Sequence, residues 1–155
     1  MTQRVDLATV MDRLAIDEVV TGYAVAVDDG DWDAYRALFT ASGRVDYRSA
    51  GGIEGPVAEV ADWLAETMTL FPVRQHLIVN RLISLEDLGG SPGDSAEVRA
   101  DFLNPMRLAG PDSDASVTSP NFVAAGRYGF ALARTRDGWR LTRVTVHEKW
   151  RHMTA

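Results

Sequence analysis

The order of hydrophobic patterns along the chain predicts an α+β fold, in which N-terminal helices pack on a strongly curved, mainly antiparallel β-sheet to form a cone. Up to residue 72, apolar side chains recur at helical spacing in three segments. Beyond it, four long segments alternate with a period of two and are separated by turn-rich loops. Since no repeat, linker or low-complexity tract divides the 155 residues, a single domain spanning 1–155 is expected.

The first predicted helix spans residues 6–28, with Asp6 as its N-cap and Gly30 as its stop. Its apolar residues form two sets at helical spacing, the first being Leu7, Val10, Met11 and Leu14 and the second Ile16, Val19, Val20, Tyr23 and Val27. The apolar face shifts between the two sets. The helix is therefore expected either to be buried on a broad face or to break near Ala15.

A second, short helix is predicted from an N-cap at Asp31 through about Leu38. It is followed by the segment 42–49 (SGRVDYRS), in which Val45 and Tyr47 alternate with charged residues. Alternation of this kind indicates a short strand with one face toward the core. Tyr47 is expected to lie on the core-facing side.

A third helix is predicted from Pro56 to about Leu70, because Pro is favoured at helix starts and Pro72 cannot continue the helix. The remainder reads as four long strands, predicted at residues 75–85, 96–108, 122–134 and 139–150. Residues 109–120 form a long polar loop between the second and third of these strands. An Asp137-Gly138 pair predicts a tight hairpin before the last strand.

Composition excludes several classes of function. The net charge of −6 and the absence of a basic run argue against nucleic-acid binding. No cysteine is present for thiolate chemistry, and three scattered histidines argue against a metal site. No apolar run is long enough to span a membrane, and the first residues lack the apolar stretch of a signal peptide, so a cytoplasmic protein is expected.

One motif carries a family resemblance. The end of the first helix contains Y-x4-D-D-x-D-W, at residues 23–32, and a Gln-His pair opens the first long strand. Together with the order of elements, this pattern resembles the nuclear transport factor 2-like superfamily, and within it the SnoaL-like branch that includes scytalone dehydratase and bile-acid 7α-dehydratase. The branch also contains a dehydrochlorinase, polyketide cyclases, isomerases and proteins with no known activity, so the resemblance does not fix the reaction.

Asp28 and His76 are the central candidate residues, although each has an ordinary structural interpretation. Asp28 could be a turn residue like its neighbours, and His76 could be a strand histidine that bonds a backbone carbonyl. A carboxylate at the negative C-terminal end of a helix is unfavourable, which makes Asp28 unusual. The resemblance implies that the two form a dyad at the bottom of the cone, in which Asp28 orients His76 as a general base.

The resemblance also implies that Tyr23 and Tyr47 donate hydrogen bonds to the substrate, although both could equally be core residues with one polar partner. A further polar residue is expected on the second long strand. Asp101 is the first candidate for that position and Arg99 the second, which would make Arg99 a substrate-binding residue. The apolar residues expected to line the pocket are Trp63, Met68, Phe71, Phe102, Met106 and Phe122.

These residues lead to a functional hypothesis: a cofactor-independent lyase, dehydratase-like, that removes a proton α to a carbonyl of a small hydrophobic substrate. A polyketide cyclase or ketosteroid-isomerase-like isomerase could use the same pocket. The alternative from another class is a non-catalytic module for hydrophobic ligands or dimerisation. The mixed-charge segment of His147, Glu148, Lys149 and Arg151 is interpreted as a solvated face or a dimer contact. A homo-oligomer, dimer or trimer, is expected from the resemblance.

Overall fold

The computed structural model describes residues 2–86 and 89–154, with side chains from residue 7 onward. The helices are α1 (Thr2–Asp29), α2 (Trp32–Ala37) and α3 (Val57–Met68), with one short 3-10 helix at Arg48–Ala50. The strands are β1 (Phe39–Asp46), β2 (Glu54–Pro56), β3 (Leu77–Glu86), β4 (Ser95–Met106), β5 (Phe122–Thr135) and β6 (Gly138–Met153). The predicted α+β class is confirmed. No helix in the described part of the chain is long and apolar enough to cross a membrane.

The strands form one curved sheet in the order β2-β1-β6-β5-β4-β3. Every neighbouring pair is antiparallel except β1 and β6, which run parallel. The four long strands agree with the prediction to within a few residues. The short strand β2 lies where a turn was predicted, and its three residues extend β1 into a small hairpin.

Helix α1 is unbroken, and only its second apolar set enters the core. Ile16, Val20, Tyr23 and Val27 are buried, whereas Leu7, Val10, Met11 and Leu14 are at least half exposed. At 3.6 residues per turn, the two sets lie on opposite sides of the helix, which is why both cannot face the sheet. The expectation of a broadly buried or broken helix was therefore wrong. The helix also begins before Asp6, whose side chain lies outside the described residues.

The junction between α1 and α2 agrees closely with the prediction. Gly30 has a φ of 66°, a left-handed conformation that suits glycine, and the Asp31 N–H bonds the Ala26 carbonyl at 2.9 Å. The Asp31 carboxylate accepts a hydrogen bond from the Ala34 N–H at 3.0 Å, which confirms its predicted role as N-cap. This tight turn leaves Asp28 in the last turn of α1.

Two predicted strand residues lie just outside their strands. Tyr47 follows the last residue of β1 and precedes the 3-10 helix, so it is not part of the strand as predicted. His76 directly precedes the first residue of β3 rather than opening the strand. Strand ends are where side chains can turn toward a cavity without belonging to the alternating ladder.

Arg134 on β5 connects α1 to the sheet. Its guanidinium donates two hydrogen bonds to Asp12, at 2.8 and 2.9 Å, and one to Asp94 at 3.2 Å, and it lies 4.7 Å from the centre of the Trp139 ring. Side-chain hydrogen bonds from Arg134 lower the pKa of the Asp12 carboxyl. Only 15% of the Asp12 side chain is exposed, so this ion pair is shielded from solvent.

Asp12→Asn is therefore expected to reduce the free energy of unfolding by roughly 1–3 kcal/mol at neutral pH. Because the folded-state pKa is lower than the unfolded one, the stabilisation is present above the ordinary value of 3.8 and is lost as pH falls through the folded-state pKa. Urea unfolding at neutral pH and at about pH 3 measures the difference. Asp29→Asn, at an exposed position of the same helix, is the control. A difference between Asp12→Asn and wild type that did not shrink in acid would contradict this account.

Candidate active site

Asp28 and His76 are held together by two kinds of hydrogen bond. The His76 ring Nδ1 lies 2.6 Å from Asp28 Oδ1. The backbone N–H of His76 also donates to the same carboxylate, at 2.9 Å to Oδ2 and 3.1 Å to Oδ1. These donors offset the unfavourable position of a carboxylate at a helix C-terminus. The structure thus brings these two sequence-predicted residues into direct contact.

This contact determines which ring nitrogen of His76 is available. A carboxylate only accepts hydrogen bonds, so Nδ1 carries a hydrogen, and in the neutral ring the lone pair is therefore on Nε2. The His76 side chain is 8% exposed and lines the cavity described below. Nε2 has no hydrogen-bond partner among the residues that the structure describes. The arrangement presents an imidazole that is fixed through Nδ1 and whose Nε2 is unpaired within the described part of the chain.

Three tyrosine hydroxyls form a continuous hydrogen-bonded chain beside this pair. The Tyr47 hydroxyl is in the centre, bonded on one side to Tyr23 and on the other, at 2.9 Å, to Tyr35. Tyr23 is 1% exposed and Tyr35 is fully buried. The rings of Tyr23 and Tyr128 are in edge contact, with centres 5.6 Å apart. The structure therefore brings Tyr23 and Tyr47 together.

Burial keeps these hydroxyls protonated. Burial raises the pKa of Tyr23 and of Tyr47 well above the ordinary value of 10. It also raises the pKa of Tyr128 to about 12, an effect that the side chains of Asn104 and Tyr23 partly oppose. At neutral pH the tyrosines can thus donate hydrogen bonds but cannot act as bases.

His76 and the tyrosines Tyr23, Tyr47 and Tyr128 line a cavity of about 300 Å³ between the sheet, α1 and α3. Its walls are mostly apolar and include six residues expected to line it: Trp63, Met68, Phe71, Phe102, Met106 and Phe122. A volume of this size suits a small organic molecule. Apolar walls with a few convergent polar groups are typical of small-ligand sites.

The structure does not place Asp101 or Arg99 in this cavity, which corrects the expectation for the further polar position. In β4 the even-numbered residues are buried, and both residues lie on the opposite, outer face of the sheet. Asp101 bonds Arg127 at 3.0 Å and Asn80 at 3.2 Å. Arg99 lines a separate depression on that outer face. The alternation of a strand makes access to the cavity from either position impossible without a register shift.

Asn104 occupies the position that sequence reasoning missed. It lies on the inner face of β4, is 5% exposed and lines the cavity beside Tyr128. Its Oδ1 is buried without a hydrogen-bond partner in the described part of the chain. A buried amide oxygen without a partner is costly, so this atom is available to a ligand. The sequence contains a signal for this position, because Asn104 is an even-numbered residue of the strand, like Val98, Ala100 and Phe102, and even-numbered residues face inward.

The rim of the cavity also contains two residues interpreted from sequence as part of a solvated face. Arg151 Nε donates to Glu148 Oε1 at 2.9 Å, and its Nη2 donates to the Ala50 carbonyl at 2.9 Å. The Arg151 guanidinium lies 4.8 Å from the centre of the Phe122 ring. Glu148 and Arg151 therefore line the cavity entrance rather than an outer surface.

Among the described residues, no group of three His, Cys, Asp or Glu side chains is arranged to hold a metal ion. The polar groups that line the cavity are the His76 imidazole, the Asn104 amide and neutral hydroxyls, with the Glu148–Arg151 ion pair at the rim. The Asp28 carboxylate bonds the imidazole. This set can abstract a proton and stabilise a developing oxyanion.

Comparison with known sequences gives one family. A profile described as SnoaL-like domain matches residues 8–145. The uncharacterized protein Rv2910c of Mycobacterium tuberculosis is 31% identical over 137 residues, which cover 88% of this chain and 85% of that protein. The residues matched by the profile include Asp28, His76 and the elements around the cavity except the last part of β6.

Comparison with solved structures gives the same fold. A proposed aromatic ring hydroxylase from Novosphingobium aromaticivorans superimposes with a TM-score of 0.73 and 27% identity over 94% of each chain. A proposed scytalone dehydratase from the same organism has a TM-score of 0.75 and 18% identity, over 95% of this chain and 90% of that chain. The fold is thus shared with small-molecule-converting proteins, whose names differ in reaction.

Proposed function

We propose, on the premise that this chain belongs to the SnoaL-like domain family, that its cavity catalyses cofactor-independent proton abstraction α to the carbonyl of a small, mostly apolar compound. His76 acts as the base through Nε2, and Asp28 orients it. Tyrosine hydroxyls at Tyr23 and Tyr47 stabilise the enolate oxygen. Asp101, which lies on the outer face, has no part in this mechanism.

The proposed reaction is elimination of water from a β-hydroxy carbonyl compound. His76 Nε2 takes the α proton while the C–H electrons form an enolate, whose oxygen accepts a hydrogen bond from tyrosine. The resulting imidazolium is stabilised by Asp28. The enolate then re-forms the carbonyl and expels the β-hydroxyl, which receives the proton from His76 and leaves as water. His76 returns to its neutral state, and one carbon–carbon double bond has formed.

The observation that carries this proposal is the Nδ1–Oδ1 contact of 2.6 Å at the edge of an apolar cavity. A histidine fixed by a carboxylate, with its other nitrogen free, is arranged as a base rather than as a packing residue. The apolar walls favour a hydrophobic substrate, and a volume of about 300 Å³ limits its size. A neighbour of the same fold is a proposed dehydratase, which agrees with elimination.

The test uses the β-hydroxy derivative of benzylacetone, a small aromatic ketone suited to the cavity. Elimination of water is expected to give benzylideneacetone, whose conjugated double bond is followed by ultraviolet absorbance. Mass spectrometry identifies loss of water from this ketone as dehydratase activity. The alternatives need other substrates, a β,γ-unsaturated ketone for an isomerase and a compound with two carbonyl groups for an aldol-type cyclase, and each would then give a product of unchanged mass. Release of benzaldehyde and acetone would be the reverse aldol reaction and would argue for carbon–carbon bond chemistry.

The same experiment tests whether the protein is catalytic. If the ketone binds, as followed by fluorescence of the cavity residue Trp63, but no product forms from it or from related hydroxy ketones, a binding module is favoured. A second measurement is the ring tautomer of His76, read from its nitrogen chemical shifts by NMR in wild type and in Asp28→Ala. A catalytic pair requires the hydrogen to be on Nδ1 in wild type and this preference to weaken when the carboxylate is removed, since the carboxylate accepts from Nδ1.

A further inference from the structure

The outer face of the sheet, opposite the cavity, has a depression of about 500 Å³ that the proposed function does not use. This outer depression lies over the middle of β4, β5 and β6. Its floor is formed by small residues of β5, and its sides are mostly charged or polar. The polar side chains around the floor on these three strands are Glu97, Arg99, Arg127, Arg143, Thr145 and His147.

Gly129 is at the centre of the outer depression, where it pairs with Arg99 of β4 on one side and Thr145 of β6 on the other. Its φ is not positive, and a Cβ placed there would meet no atom within 4 Å. Neither backbone conformation nor packing therefore requires glycine at this position. Glycine weakens the interior of a strand, and it often marks a place where a ligand approaches the backbone closely.

Three guanidinium groups are placed around this open floor. Arg99 is directly opposite Gly129, and Arg127 lies two residues before Gly129 on the same face of β5. Arg143 lies two residues before Thr145, which makes it a diagonal neighbour of Gly129. Directly opposed and diagonal positions on one face of a sheet are close enough for long side chains to reach the same point.

These guanidinium groups are only partly paired. Arg99 has no hydrogen bond or ion pair with any residue that the structure describes. Arg127 bonds Asp101 through Nε, at 3.0 Å, which leaves its two terminal nitrogens without a partner in the described part of the chain. Arg143 Nη2 is 4.0 Å from Asp46 Oδ2, which is too far for a hydrogen bond. All three arginines therefore have terminal N–H groups to donate to a ligand.

The charge of the outer depression is opposite in sign to that of the whole protein. Its lining contains three arginines and one acid, Glu97, so it has a net charge of +2 with His147 neutral, whereas the chain has −6. Asp101 is beside the lining and is close enough to Lys149 to interact with its charge, so this pair adds nothing to the sum. An anion is the ligand that this distribution of charge favours.

We propose that the outer depression binds the phosphate group of a small molecule, with the guanidinium groups of Arg99, Arg127 and Arg143 around it and Gly129 beneath it. A phosphate monoester has up to two negative charges at neutral pH and several strong acceptor oxygens, which balance the net charge of the lining. A single carboxylate would leave one positive charge unbalanced. Planar guanidinium groups match phosphate oxygens in charge and geometry. The site is on the opposite side of the sheet from His76, so it does not depend on the proposed reaction.

The experiment measures binding of inorganic phosphate by isothermal titration calorimetry, with chloride replacing phosphate to keep the ionic strength constant. Wild type is expected to bind one phosphate per chain with a saturable heat. Arg99→Gln is expected to weaken the affinity about tenfold, because it removes charge-assisted hydrogen bonds. The matched control is Arg136→Gln, which removes the same charge from the exposed turn between β5 and β6 and should leave the affinity unchanged.

Gly129→Val distinguishes a shaped site from a surface that is merely basic. Valine is favoured in strands and leaves every charge in place, but its side chain occupies the open space over the floor. Phosphate binding is expected to be lost, while urea unfolding shows that the variant is folded. Since Arg99 is exposed and unpaired in the described part of the chain, Arg99→Gln is a second variant that does not threaten the fold.

Three calorimetric results would overturn the proposal: no saturable binding to wild type, wild-type affinity in a folded Gly129→Val, or an equal loss in Arg136→Gln and Arg99→Gln. Sedimentation supplies a fourth. An oligomer that dissociates in Gly129→Val would mean that a second copy of the chain, and not a phosphate, occupies this face. Phosphate binding without turnover of hydroxy ketones would refute the proposed reaction but leave this site intact.

Discussion

Replacing His76 by alanine is expected to lower kcat for hydroxy-ketone elimination about a thousandfold while the fold remains intact. A positioned general base contributes roughly two to four orders of magnitude. The other carboxylate on the described cavity lining, Glu148, is at the entrance and paired with Arg151. The tyrosines are protonated, and Asp28 is bound to the backbone N–H of His76. That backbone bond persists in His76→Ala, so the Asp28 carboxylate keeps a partner. Initial rates and thermal unfolding measure the two effects separately.

His147→Ala is the matched control, because His147 is exposed on the outer face of the sheet and is expected to have no effect on kcat. The double variant Asp28→Asn with His76→Ala tests whether Asp28 acts through His76. If it does, the double variant should be no slower than His76→Ala alone, since effects within one catalytic unit are not additive. Elimination at the wild-type rate by a folded His76→Ala protein would refute the mechanism.

The sequence placed Asp28 and His76 at the ends of elements, because both lie beside signals that sequence patterns report well. Asp28 precedes a helix stop at Gly30, and His76 precedes a long alternating strand. Local signals of this kind define where elements end, and the contact then depends on how α1 lies against β3. That packing is a tertiary property. The expectation that Asp28 meets His76 came from the family resemblance, because spacing along the chain contains no information on which strand end meets α1.

The error at Asp101 has a different origin. The alternation of β4 places Asp101 and Arg99 on the face opposite to Phe102. The resemblance implies an ionisable residue at this position, whereas the polar residue on the inner face is the neutral Asn104. A polar residue at a core-facing position of a strand is a stronger indication of a site than a charge on the solvent-facing side.

Tyr35 and the rim residues could not have been predicted from local pattern. Tyr35 contributes a typical apolar position to α2, and only the contact with Tyr47 reveals its polar role. Arg151 faces the cavity because β6 contains one extra residue. Ala125 pairs with Trp150 and Gly126 pairs with Glu148, which leaves Lys149 without a partner in β5. A bulge of this kind changes which side chains point inward, and no pattern in the sequence predicts it.

Gly126→Ala is expected to be the most destabilising single-methyl change in the sheet, by about 3 kcal/mol or more. A Cβ at this position would lie 2.1 Å from the His147 carbonyl oxygen and 2.9 Å from both Glu148 Cα and Lys149 N. All three are backbone atoms of β6, so no side chain can rotate away to make space. The bulge would have to open, and Glu148 and Arg151 would lose their positions at the cavity entrance.

The control is Gly129→Ala, three residues further along β5, where a Cβ would meet no atom within 4 Å. It is expected to change the free energy of unfolding by less than about 0.5 kcal/mol, since the site is open. Urea unfolding of both variants gives the comparison, and the melting temperature of Gly126→Ala should fall by roughly 10 °C. Equal stability of the two variants would mean that β6 does not bulge against Gly126. Arg151 would then be on the outer face and would not be part of the cavity entrance.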